Sequence, residues 1–172
     1  MSKGSIKAKS NQVSRARGRK RASRGGVVNV YIHESAGESG KVSAEAARSL
    51  SPSKIIESIQ NGLPIRELDR LQASLAIDNG KLASALGISK ATLQRRKVQG
   101  RLDPAESDRV LRFARLMGKA IAVFGGVEHA REWLRSPQFG LGGAVPLDYA
   151  QTEPGAREVE NLLGRIEYGV YS

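Results

Sequence analysis

From residue 51 onward the apolar positions recur at spacings of three and four, the period of helices packed on one side. Ser51-Pro52 supplies a cap and a first-turn proline, Ile55, Ile56 and Ile59 form a stripe, and Asn61-Gly62 ends it. Leu63-Pro64 opens the next helix, with Ile65, Leu68, Leu71 and Leu75 on one face. Asp78 caps a short helix containing Leu82, Ala83 and Leu86, and Gly87 breaks it. Ser89 caps a helix over 90–98 with Leu93 inside, stopped by Gly100. Asp103-Pro104-Ala105-Glu106 is a capping box in its Asp form, and the helix it starts runs to about Phe124. That helix carries Val110, Leu111, Phe113, Ala114, Leu116, Met117, Ala120, Ile121 and Phe124, a stripe broad enough to be buried on more than one side. After Gly125-Gly126 comes a shorter helix with Ala130, Trp133 and Leu134, ended by Ser136-Pro137. Residues 138–147 read as a Gly-rich, fairly apolar loop, and Thr152 caps a last helix containing Val159, Leu162, Leu163 and Ile166. The pattern predicts an all-α fold, a helical bundle of six or seven helices without an internal repeat. One run departs from it: VVNVYIH, 27–33, is β-prone and predicts a short strand, followed by a loop-like ESAGESG.

Composition changes this picture through charge. The chain has 172 residues, 28 Lys+Arg against 17 Asp+Glu, and a net charge of +11. Two islands hold all the excess: residues 1–24 carry +9 and residues 79–102 carry +6, both without an acid, while 25–78 and 103–172 are each −2. The first island is rich in Ser, Gly and Arg, lacks large apolar residues, and is expected to be a disordered arm that either adds phosphate contacts on DNA or is dispensable. The chain thus divides into an arm over 1–45, a helical region over 46–102 for DNA binding and dimerisation, and a helical region over 103–172. No window approaches 18 consecutive apolar residues, so no membrane association is expected. With no Cys, disulfides and thiolate metal sites are excluded. A cytoplasmic location is compatible with this.

The second island coincides with a steric signature. A helix-turn-helix needs a small residue where its helices cross, a turn residue tolerating positive φ, and apolar residues pinning both helices. In segment 79–98 these are Ala83, Gly87, and Leu82, Leu86, Ile88 and Leu93. The helix after Ser89 is then the recognition helix. Its DNA-binding candidates are Ser89, Lys90, Thr92, Gln94, Arg95, Arg96 and Lys97, with Lys90, Gln94 and Arg95 for bases and Thr92 and Arg96 for phosphates. Arg96, where this motif is often apolar, is expected to snorkel or face a phosphate, and Arg101 to extend the footprint. Operator DNA is the implied partner, and one motif per half-site implies a homodimer. Its surface would come from the Ile55/Ile59 helix or the Leu68/Leu71/Leu75 helix, unless those residues pack the core.

Catalytic readings are poorly supported. His33 and His129 are isolated, without a nucleophile or metal spacing. Lys41-Val42 fails as a P-loop, and the 140–143 loop has Val145 where a dinucleotide fingerprint needs its third Gly. The chain is therefore read as a non-enzyme with no catalytic residue, no cofactor and no metal.

The C-terminal third carries a recognisable set of motifs: Trp133-Leu134, Pro137, Leu141-Gly142-Gly143, Pro146-Leu147, Gly155-Ala156-Arg157 and the ending Gly164-Arg165-Ile166-Glu167-Tyr168-Gly169-Val170-Tyr171. With Gly62-Leu63-Pro64 and Thr92-Leu93-Gln94-Arg95-Arg96 upstream, residues 50–172 closely resemble Xre/ParS/MbcA-type antitoxins. The resemblance implies a type II antitoxin whose partner is a RES-domain toxin, an NAD-consuming enzyme. It implies that the antitoxin covers the toxin's active-site entrance, and that the hetero-oligomeric complex represses its own operon. Residues 103–172 are then the toxin-binding domain, with Leu141, Gly142, Gly143, Arg165, Glu167, Tyr168, Gly169, Val170 and Tyr171 as contact candidates. Tyr168, Val170 and Tyr171 around a flexible Gly169 suit a plug; Gly142-Gly143 suits either close backbone approach or a tight turn. A ligand-sensing repressor without a toxin is the alternative, and a nucleoid-type protein held by charge alone is a third reading.

Overall fold

The Asp103 start signal does open the central element. In the computed structural model, which describes residues 26–35 and 51–170, Asp103 Oδ1 accepts from the Glu106 amide at 2.8 Å, and a Glu106 carboxylate oxygen accepts from the Asp103 amide at 2.9 Å. The basic arm, residues 36–50 and Tyr171 lie outside the described residues. In chain order the described helices are α1 (Val27–Ser35), α2 (Pro52–Gln60), α3 (Ile65–Leu75), α4 (Asn79–Ala85), α5 (Lys90–Gln99), α6 (Pro104–Phe124), α7 (Val127–Arg135), α8 (Pro146–Tyr149) and α9 (Glu153–Glu167). A 3₁₀ turn covers Phe139–Leu141. Among the described residues there is no strand, only the isolated bridges Pro64–Arg101 and Gln138–Ala144, so the fold is all-α.

Helix α6 is hydrophobic on most sides because it is packed on most sides. Val110, Phe113, Ala114, Leu116, Met117 and Ala120 are fully buried, with α1, α2, α3, α7 and α9 packed around them. Leu68, Leu71 and Leu75 of α3 belong to this core and so cannot form a dimer surface. Helix α2 has no buried residue, and Ile56 stands 54% exposed.

The strand expected over 27–33 is a helix instead. Val28 and Ile32, one turn apart, are both buried against the core, and the Val28 amide donates to Glu67 Oε2 at 3.0 Å. Among the described residues the β-branched run has no strand to pair with, whereas a helix satisfies its own backbone while burying one face. Packing therefore overrides the local preference.

Charged side chains on α6 tie its neighbours down. Arg109 donates to the Leu86 carbonyl at 2.5 Å, in the turn after α4. Arg112 pairs with Glu153 at 2.9 Å, and Arg115 and Lys119 hold Glu160 at 2.5 and 3.1 Å, fastening α9. From α7, Arg131 donates to the Ala73 and Ser74 carbonyls and Arg135 to that of Ala76, covering the C-terminal end of α3.

Candidate functional site

Helices α4 and α5 form the predicted helix-turn-helix. Asp78 caps α4 through the Lys81 amide at 2.9 Å, and that bond, followed by the Gly80 amide, holds its carboxyl below the ordinary value. Leu82 and Ala83 are buried, Gly87 takes φ +62°, and the Ile88 amide returns to the Ala83 carbonyl at 3.0 Å. Ser89 Oγ accepts from the Thr92 amide at 3.0 Å and starts α5, whose only buried residue is Leu93. Gly87 is required by its backbone angle and not by crowding, since an added Cβ would meet nothing nearer than 3.7 Å.

The predicted DNA-binding residues divide by direction. Ser89, Lys90, Gln94 and Arg95 are exposed. The Thr92 hydroxyl lies 3.0 Å from Ser89 Oγ. Lys97 reaches back to Asn79 Oδ1 at 3.0 Å and to Asp69 of α3 at 4.0 Å. Arg96 neither snorkels nor faces outward. Its Nε donates to both carboxylate oxygens of buried Glu106 at 2.9 and 2.8 Å, and a terminal nitrogen donates to Asp103 at 2.7 Å. The hydrogen bond that Arg96 donates to Glu106 is the main reason the guanidinium is held above its ordinary pKa. The capping box of α6 is thus also the socket for α5. Arg101 donates to the Asn61 and Gly62 carbonyls, and the Leu102 amide to the Leu63 carbonyl at 2.9 Å, stitching the chain after α5 to the entry of α3. Two residues the sequence reading passed over, Ala91 and Val98, stand on the outer face of α5.

The second face lies at the other end of α6. The loop after α7 is tighter than its composition suggests. Gln138 exchanges backbone bonds with Ala144 and Gly143 at 3.0 Å, and its side-chain amide donates to the Trp133 and Ser136 carbonyls. Gly142 and Gly143 take φ +65° and +86° with open space where a side chain would be, so the turn's backbone is what calls for glycine. Leu141, one of the contact candidates, has its side chain buried in the core, because the 3₁₀ turn tucks it under. Phe139 takes the opposite direction and is 100% exposed. Nothing in the apolar character of the loop distinguished it from Leu141 beforehand.

Helix α9 ends in a Schellman motif: the Val170 amide donates to the Arg165 carbonyl at 2.9 Å and the Gly169 amide to that of Ile166 at 3.2 Å, with Gly169 at φ +68°. Gly169, expected to be a flexible link, is a fixed cap that holds Tyr168 and Val170 out at 79% and 53% exposure. Glu167 is exposed beside them and Arg165 half-buried. Gly155 lets the start of α9 approach α8, since an added Cβ would lie 1.9 Å from the Tyr149 carbonyl oxygen.

A basic helix-turn-helix carried on one end of a helix, with an apolar-tipped helical module on the other, defines a DNA-binding protein with an appended protein-binding domain. The comparisons specify it further. Residues 54–115 match the Antitoxin Xre-like helix-turn-helix domain and residues 119–169 the Antitoxin Xre/MbcA/ParS C-terminal toxin-binding domain. An Antitoxin Xre of Yersinia enterocolitica is 38% identical over 120 residues, 69% of this chain and 81% of the relative. An Antitoxin Xre of Photorhabdus laumondii is 35% identical over 116 residues, 66% of this chain and 78% of the relative. A protein of Sphingobium sp. named Prs ADP-ribosylating antitoxin is 30% identical over 132 residues, 71% of this chain and 83% of the relative. The chain belongs to the Xre/MbcA/ParS antitoxin family, with a helix-turn-helix and a toxin-binding domain. No helix among the described residues is long and apolar enough to cross a membrane.

Proposed function

We propose that this antitoxin neutralises a RES-domain, NAD-consuming toxin by covering its active-site entrance, and that the complex represses its own operon in the cytoplasm. The observation that carries the reading is the outward presentation of Tyr168 and Val170 by the Schellman cap. Exposed aromatic and apolar groups on a hydrogen-bonded backbone cap suit insertion into a concave site, because the backbone at Tyr168 to Val170 is already set before binding. Glu167, Gly169 and Tyr171 complete this plug with Arg165 at its base, and the loop at Gly142-Gly143, where Phe139 projects, supplies a second contact. The ADP-ribosylation in the name of the Sphingobium relative supports a toxin that uses NAD, since ADP-ribose comes from it.

At the other end, Ser89, Lys90, Thr92, Gln94, Arg95 and Lys97 contact operator DNA, with Arg96 holding α5 to α6. The operator is bound by a homodimer, for which half-exposed α2 with Ile56 offers a surface. Deleting Tyr168 to Ser172 is expected to abolish protection of cells co-expressing the RES-domain protein encoded beside it, while the purified chain still folds and still shifts its own upstream DNA. Retained protection would refute the plug. An unchanged shift on Gln94→Ala with Arg95→Ala at fixed salt would refute the recognition helix.

A further inference from the structure

We infer that the outer line of α5 reads thymine through its 5-methyl group, with Val98 as the main contact and Ala91 as the second. This rests on the DNA-binding reading above. Successive residues of an α-helix are offset by about 100°. Leu93 is the residue α5 buries, so the direction opposite it marks the outermost line. Ala91, Arg95 and Val98 all fall within roughly 40° of that line on the same offset. Thr92 and Gln94 flank that line at about 80°, and Arg96 and Lys97 lie nearer Leu93; Thr92, Arg96 and Lys97 are each engaged with protein groups. The outermost line therefore alternates a cation with two apolar residues.

Val98 is 80% exposed, on a helix whose other exposed residues are Lys90, Ala91, Gln94, Arg95 and Gln99. The exposed cations Lys90 and Arg95 commit this helix to a polyanion, within an acid-free run from 79 to 102. On the major-groove edges of the four bases, the one apolar group is the thymine methyl. Valine is the complement to that group as Gln94 is to adenine and Arg95 to guanine. Ala91 and Val98 stand about 10 Å apart along the axis. Thymines are therefore expected on both sides of the bases read by Gln94 and Arg95.

The test uses the full chain and duplexes that it selects from a random-sequence pool. Each thymine of the selected site is replaced in turn by deoxyuridine, which lacks the methyl group alone. Affinity is then measured for the wild-type chain and for Val98→Ala, whose substituted residue is exposed and a better helix former. At one thymine the wild-type chain is expected to lose roughly fourfold per methyl contact, and Val98→Ala to bind the thymine and deoxyuridine duplexes alike. Equal sensitivity of both proteins at every position would overturn the inference, as would wild-type indifference to every replacement. A changed oligomeric state in Val98→Ala would overturn it too, by placing Val98 in a protein contact. A pool that the wild-type chain fails to enrich would sink the DNA-binding reading itself, and the inference with it.

Discussion

Replacing Leu93 by Ala should unfold both ends of the protein together. Leu93 is the one buried residue of α5 and is 3% exposed, so the substitution removes the apolar anchor of the recognition helix. Loss of a core leucine side chain, with partial collapse near the surface, costs about 2–4 kcal/mol. For a structured region of this size, 1 kcal/mol moves the melting temperature by roughly 4 °C, so a fall of roughly 8–16 °C is expected. The question is where that loss is felt. The sole tryptophan, Trp133, lies in the C-terminal half with its ring 5.5 Å from that of Phe124, and so reports on the far end. Because α6 is buried from Val110 to Ile121 against elements of both halves, the two cannot unfold separately. Far-ultraviolet circular dichroism and Trp133 fluorescence should therefore give coincident transitions, both shifted. An early dichroism transition with an unshifted Trp133 curve would refute a shared core.

Stability should fall in acid for two identifiable reasons. The Lys81 and Gly80 amides hold Asp78 below 3.8; burial works to raise Glu153, but Arg157, Arg112 and Arg115 outweigh it and hold it below 4.5. Each contributes stability that is complete above those ordinary values and is lost as pH drops through the lowered ones, so urea midpoints should fall from about pH 5 to pH 3. Asp78→Asn with Glu153→Gln should flatten that decline, and an unchanged slope would count against it. Gly62→Ala should cost more than Gly87→Ala. At Gly62 the added Cβ lies 2.1 Å from the Leu102 carbonyl oxygen, whereas at Gly87 only the left-handed backbone, about 1–2 kcal/mol, is penalised; equal denaturation midpoints would contradict this. Phe139→Ser should leave the melting temperature unchanged, because the ring is fully exposed, and should weaken toxin co-purification; normal co-purification would remove Phe139 from the contact.

What was legible in the sequence was what short-range chemistry decides. The caps at Asp78, Ser89, Asp103 and Thr152 each make the expected side-chain bond, because a cap is written within three residues. Ser51 makes none, and its helix relies on Pro52 at the first turn. The helix-turn-helix was legible for a similar reason: a small residue, a glycine and a leucine at fixed spacing are steric requirements of the turn. Features that depend on distant partners were not. Helix α1 owes its state to Glu67 and to a core that its own seven β-prone residues do not announce. Arg96 was visible as an oddity, but its partners Asp103 and Glu106 already had a sufficient role as a capping box. Leu141 and Phe139 illustrate the same limit, since two apolar residues two positions apart in one loop take opposite sides of the surface.

The matched helix-turn-helix ends at 115 and the matched toxin-binding domain begins at 119, both inside α6. The junction between the two activities is therefore a rigid rod and not a hinge. Lengthening that rod by one residue would turn one end against the other by about 100° and advance it by about 1.5 Å. A recombination event that grafts a new toxin specificity onto this DNA-binding end has to conserve residue count and phase across Pro104–Phe124. Exchange is then restricted to donors whose rod has the same length.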